Sequence, residues 1–179
     1  MPPPIVVVAV DSFKGSLAAP AAADAIARGV LRAAPQTQVR ARPMADGGEG
    51  TLDALLAASP GSRRLRVATC GASGVPMDAA VGRLADGGGV IEIAQVVGLT
   101  DAAADASDVR ARHTRGVGRV LRALLDDGCR AIAIGLGGSS TNDGGAGLLA
   151  ELGVRFVDAG GRALAPTPDG LATLARVDP

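Results

Sequence analysis

Residues 130–152 read Arg-Ala-Ile-Ala-Ile-Gly-Leu-Gly-Gly-Ser-Ser-Thr-Asn-Asp-Gly-Gly-Ala-Gly-Leu-Leu-Ala-Glu-Leu. Arg130 to Ile134 alternate Ile and Ala like a buried strand, and Ala146 to Leu152 carry an apolar helical pattern. Between them, residues 135–147 place six glycines around hydroxyl, amide and carboxylate side chains. A glycine-rich loop between strand and helix is expected to cradle an anion. Glycine lets the backbone approach a ligand closely, and a helix N-terminus offers unpaired N–H donors and a partial positive charge. The run matches neither common nucleotide motif. Ser140 stands where a dinucleotide fingerprint needs its third glycine, and no Gly-Lys-Ser/Thr closes the run as a P-loop would. A nicotinamide-binding oxidoreductase is therefore disfavoured.

Outward from this run, the same strand–turn–helix unit recurs. Ile5 to Val10 is an unbroken apolar stretch rich in β-branched residues, as expected of a strand buried on both faces of a parallel sheet. After a turn, Pro20 suits a first helical turn, and Ala22, Ile26, Val30 and Ala33 recur at helical spacing until Pro35. A weaker strand, Gln38 to Met44, leads through residues 45–51 to a helix face of Leu52, Leu55 and Leu56. Both turns fall at strand C-terminal ends, where open α/β sheets bind ligands. From about Arg63 the pattern changes to Leu65 to Cys70, Asp78 to Leu84 and Val90 to Ala94, the last two joined by Asp86-Gly87-Gly88. These predict an antiparallel region and a domain boundary. Thr114 is expected to cap an amphipathic helix with Val117, Val120, Leu121, Leu124 and Leu125 on one face, ending at Gly128. Beyond it, Val154 to Val157 and Arg162 to Leu164 flank an Ala159-Gly160-Gly161 turn, and the chain is expected to stop within a domain.

Composition narrows the function classes. The 179 residues are 47% apolar with two Phe and no Trp or Tyr, so the core must pack from small side chains. Acidic and basic residues balance at 18 each, without a basic block or stacking aromatics, which argues against nucleic acid and anionic membranes. No apolar stretch approaches a membrane span and no signal peptide opens the sequence, so a soluble cytoplasmic protein is expected. Cys70 and Cys129 lie outside any Cys-x-x-Cys and read as buried, reduced thiols. His113, the only histidine, reads as a loop residue ahead of a helix.

Three loops carry the candidate chemistry. Asp11-Ser12-Phe13-Lys14-Gly15-Ser16 contains the only lysine among 18 basic residues. An ammonium is a compact point charge that fits among phosphate oxygens. Asp46-Gly47-Gly48-Glu49-Gly50-Thr51 sets two carboxylates around glycines, a pattern suited to Mg²⁺ held between protein, phosphate and water. The third loop adds Ser139, Thr141, Asn142 and Asp143. A cation, dispersed acids and abundant N–H groups form the inventory of a phosphoryl-transfer site.

The motifs at 11–17, 45–51 and 135–147 resemble the bacterial glycerate kinases of the two-domain type. Ile91-Glu92-Ile93-Ala94, Gly98-Leu99 and the Thr114-Arg115-Gly116-x-Gly118 run are similar to that family as well. The resemblance implies two α/β domains, one flavodoxin-like with a parallel sheet and the other a mixed-sheet domain inserted into it, both incomplete here. It assigns residues 1–65 to the first and 66–179 to the second. It implies ATP- and Mg²⁺-dependent phosphorylation of D-glycerate, giving 2-phosphoglycerate or 3-phosphoglycerate. The site residues it implies are Lys14, Asp46 and Asp143 as catalytic groups, with Glu49 and Asp143 at the metal. Ser12, Gly47, Gly48, Arg115, Gly137, Gly138, Ser139, Thr141 and Asn142 would hold phosphate or substrate. The family's chains look about twice as long, so this one corresponds to an N-terminal half. It is expected to need a C-terminal half or a second copy as partner. The alternative is an anion-binding fragment without turnover. His113, Val117 and Arg119 depart from the family's usual residues.

Overall fold

The structure is a computed structural model that describes residues 2–13 and 15–179. Ile5–Val8 (β1) and Gln38–Ala41 (β2) form a two-stranded parallel sheet in the register Ile5 to Gln38 and Val8 to Ala41. The crossover between them is Ala19–Ala33 (α1), with Pro20 in its first turn and Ala19, Ala22 and Ala23 buried. The expectation that this first strand is buried on both faces is corrected. Ile5 and Val7 are 52% and 59% exposed, because β1 has a partner on one edge and cover on one face only.

Thr51–Ala58 (α2) follows the second glycine loop and packs against the next sheet, where Leu52 is buried. That sheet comprises Arg63–Cys70 (β3), Pro76–Arg83 (β4), Gly89–Glu92 (β5) and Ile132–Gly135 (β6), in that spatial order. β3 to β5 pair antiparallel as the turn signals predict, and β6 lies parallel to β5. The fold is α/β, with one parallel sheet, one mixed sheet and a small antiparallel pair in the tail. The mixed sheet buries its face under Arg115–Asp126 (α5), which presents Val117, Val120 and Leu124. Leu125, expected on the same face, is 46% exposed, since it lies round the helix from that stripe. Two short helices, Ala94–Val97 (α3) and Ala102–Asp105 (α4), and a 3₁₀ turn, Val109–Ala111, lie between β5 and α5. As composition required, this core is built from Ala, Val, Ile, Leu and Cys.

β6 is an edge strand with Ala133 exposed, so its alternation of Ile and Ala marks half-burial rather than full burial. The glycine-rich run leads into Ala146–Glu151 (α6), which packs on α5. In the tail, Arg155–Val157 (β7) pairs with Arg176–Asp178 (β8), past the short helix Pro168–Leu171 (α7). The stretch at 162–164 makes one isolated bridge, Val157 to Ala163, instead of a strand. Cys70 and Cys129 are buried and free.

Candidate active site

The second and third loops meet backbone to backbone. Glu92 and Gly135 are partners at the C-terminal ends of β5 and β6, so the 135–138 run leaves the sheet beside Glu92. Gly137 N donates to Gly47 O at 2.8 Å. A Cβ on Gly135 would lie 2.7 Å from Gly47 O, and one on Gly137 would lie 2.6 Å from Gly48 Cα. No side chain fits there, so these glycines let one loop rest on the other. Within the second loop, Asp46 Oδ1 accepts from Gly48 N at 3.1 Å and the Thr51 hydroxyl donates to Gly48 O at 2.7 Å. Asp46 and Glu49 are exposed.

Much of the third loop's hydrogen-bonding capacity is spent internally. Ser140 N donates to Val97 O, and Thr141 N to the Ser139 hydroxyl, which sits 2.8 Å from that of Thr141. Asp143 is buried. Its Oδ2 accepts from Thr114 N at 2.7 Å, the Thr114 hydroxyl at 2.8 Å and Gly147 N at 3.0 Å, while Oδ1 accepts from Gly145 N at 3.1 Å. The Thr114 hydroxyl in turn accepts from Leu148 N. The starts of α5 and α6 are thus tied into one knot, and the N–H groups that open α6 face Asp143 instead of a ligand. Among the described residues, Gly138, Ser139, Asn142 and Gly144 keep N–H groups without an internal acceptor. Asn142 is exposed.

The first loop faces the second across a cavity of about 740 Å³ lined by Ser12, Phe13, Arg42, Met44, Glu49 and Asp53 among others. Ser12 and Glu49 therefore line one cavity, and Gly47 and Gly48 meet Gly137, but third-loop residues do not line that cavity. Lys14 lies outside the described residues. Arg115 opens α5 and does not line that cavity; its guanidinium pairs with Glu151 at 2.8 Å. Burial tends to raise the Glu151 carboxyl, but the Arg115 hydrogen bond and the charges of Arg119 and Arg115 outweigh it and hold the group below its ordinary value. His113 precedes α5 as expected, with Nδ1 buried and unpartnered among the described residues.

The donor chemistry sorts the carboxylates for a hard cation. Asp46 and Glu49 are exposed oxygens at the loops, as Mg²⁺ requires when phosphate and water complete its shell. Asp143 fits poorly, because Oδ2 already receives three donors. No group of three or more His, Cys, Asp or Glu suited to a metal occurs among the described residues. Two groups were not assigned from sequence. Arg42 reaches the cavity from the end of β2. Glu92, 1% exposed, accepts from Leu52 N at 2.9 Å and from the Gln95 amide at 3.2 Å. A charged residue inside an otherwise apolar strand, Val90-Ile91-Glu92-Ile93, was the available signal.

A family model described as the glycerate kinase family matches residues 6–179. The chain belongs to the glycerate kinase family. It is 41% identical over 97% of its length to a Bacillus subtilis protein named glycerate kinase, and 39% identical over the same share to an Escherichia coli K12 protein named glycerate 2-kinase. It covers 45% of each. A crystal structure from Salmonella typhimurium LT2, bearing the name glycerate kinase 2, superposes with a TM-score of 0.81 at 39% identity over 98% of this chain and 47% of that one. The chain spans about half the length of the curated relatives it matches.

Proposed function

We propose that this chain supplies the N-terminal part of an ATP-dependent glycerate kinase, transferring a phosphoryl group to a hydroxyl of D-glycerate. The observation that supports it most is the contact of the 46–51 loop with the 135–138 loop, two family motifs closed on each other by Gly47 and Gly137. Asp46 and Glu49 would hold Mg²⁺, which when bound neutralises phosphate charge. The free N–H groups of Gly138 and Ser139 would orient phosphate oxygens, and Ser12 and Arg42 would bind polar groups of substrate in the cavity. Lys14 keeps the cationic role that the sequence suggests, and Asp143 the role of fixing the third loop. The name of the Escherichia coli relative favours the 2-hydroxyl as acceptor. Among the described residues of this chain no helix is long and apolar enough to cross a membrane, and the proposal includes a cytoplasmic setting for the small organic acid substrate.

A second reading, an anion-binding fragment without turnover, is favoured by the exposed apolar face of β1. A coupled ADP-release assay with D-glycerate and MgATP on a chain of verified mass separates them. Turnover with a phosphoglycerate product, assigned as the 2- or 3-isomer by ³¹P NMR, supports the kinase. Nucleotide or phosphate binding without turnover supports the fragment.

A further inference from the structure

We infer that Glu92 is the positioning residue that locks the 46–51 loop against the 135–138 loop, an inference that rests on the kinase reading for its catalytic consequence. Glu92 ends β5 beside the edge strand β6, from which the third loop departs, and its partner across the ladder is Gly135. Its carboxylate is buried, yet among the described residues it pairs with no cation and does not line the cavity between the first and second loops. Instead it spans 40 residues of sequence to accept the Leu52 N–H in the first turn of α2. That turn is continuous with Gly50 and Thr51, and Thr51 bonds back to Gly48. The chain of contacts therefore runs from Glu92 through Leu52 and Thr51 to Gly47 and Gly48, and returns to the same strand ends through Gly137. Glu92 and the Gly47–Gly137 bond close one ring. Opening either end frees the loop that carries Asp46 and Glu49.

The second oxygen of Glu92 accepts from Gln95, whose amide can turn over. Gln at position 92 could then accept from Leu52 N with its carbonyl while Gln95 presents its own carbonyl to the new NH₂ group. Glu92→Gln preserves every bond without the charge, whereas Glu92→Met keeps the volume and removes both acceptors.

Hydrogen exchange in the unsubstituted chain comes first. The Leu52 and Gly137 amides open as one unit, so their protection factors agree within about tenfold; a larger gap overturns the inference. Glu92→Met accelerates exchange at both amides by about tenfold or more, and Glu92→Gln leaves both within about threefold. Acceleration at Leu52 alone overturns the coupling. In the coupled assay, Glu92→Met lowers kcat by about tenfold or more with KM for D-glycerate and ATP within about twofold, and Glu92→Gln restores kcat to within about threefold. Equal loss in both variants would mean that the charge itself acts, and a kcat within about twofold in Glu92→Met would mean that positioning does not matter; either defeats the inference. Absence of turnover in the unsubstituted chain counts against the kinase reading, and the exchange measurements decide the role of Glu92 by themselves.

Discussion

Asp143 shows how far a side chain's surroundings can depart from what its neighbours in sequence suggest. Set between Asn142 and Gly144, it reads as one more acid in a ligand loop. Its role depends on Thr114, 29 residues away, and no local spacing reveals that pairing. With four donors on one buried carboxylate, Asp143→Asn turns an NH₂ group against N–H donors and is expected to cost about 3 kcal/mol. Urea unfolding measures that loss, while the Mg²⁺ concentration that supports turnover is expected to stay the same. His113 is a second case. Burial pushes its imidazole below the ordinary value; the charges of Arg115 and Arg119 add to that shift, and that of Asp143 opposes it. Protons therefore bind the unfolded chain first as the pH falls. The contribution of neutral His113 is fully present above the unfolded value and lost as the pH drops through the folded one. His113→Gln is expected to shrink the fall in urea midpoint between pH 7.5 and pH 5.5. A fall as steep in the variant as in the unsubstituted chain would place the titration elsewhere.

At the scale of elements, hydrophobic period and turn residues located β1 through β6, α1, α2 and α5 because each carries its own pattern. Partnership was less visible. The alternation at 130–134 suits a strand but does not say that β6 is an edge, which depends on the sheet order. The glycines of the third loop carry a similar ambiguity, since room for a ligand and room for another backbone demand the same residue. The structure separates them. Gly137 faces Gly48 Cα, whereas nothing lies within 4 Å of a Cβ on Gly144, whose φ is +61°. Gly137→Ala must push two main chains apart and is expected to cost about 2 kcal/mol. Gly144→Ala meets only the left-handed penalty of about 1 kcal/mol. Thermal unfolding of the pair tests the distinction, and kcat should fall in the first far more than in the second. Equal costs would mean that backbone conformation alone explains the glycines.

For the whole molecule, the mixed sheet and the parallel β1–β2 sheet differ in how far they satisfy their own sequences. Val81 and Ile91 are fully buried beneath α5, and Val90, on the opposite face of β5, is buried on the side that α2 covers, as their apolar strands demand. β1 is more apolar than either β4 or β5, yet Ile5 and Val7 face solvent, and Ile26 and Leu31 of α1 are 40% and 42% exposed. An unbroken Val run specifies a two-sided strand only if the rest of the fold supplies the second face, and periodicity carries no information about that supply. An apolar strand with an open edge is also a template for pairing with another chain. A polar, β-branched side chain should therefore act oppositely in the two sheets. Val7→Thr is expected to change the unfolding free energy by less than about 0.5 kcal/mol, because the side chain is already in water. It should also reduce self-association in sedimentation velocity at raised concentration. Val81→Thr buries an extra hydroxyl and is expected to cost about 2 kcal/mol without altering association. A large stability loss from Val7→Thr would show that β1 is covered in solution, and unchanged sedimentation would show that its open face does not drive assembly.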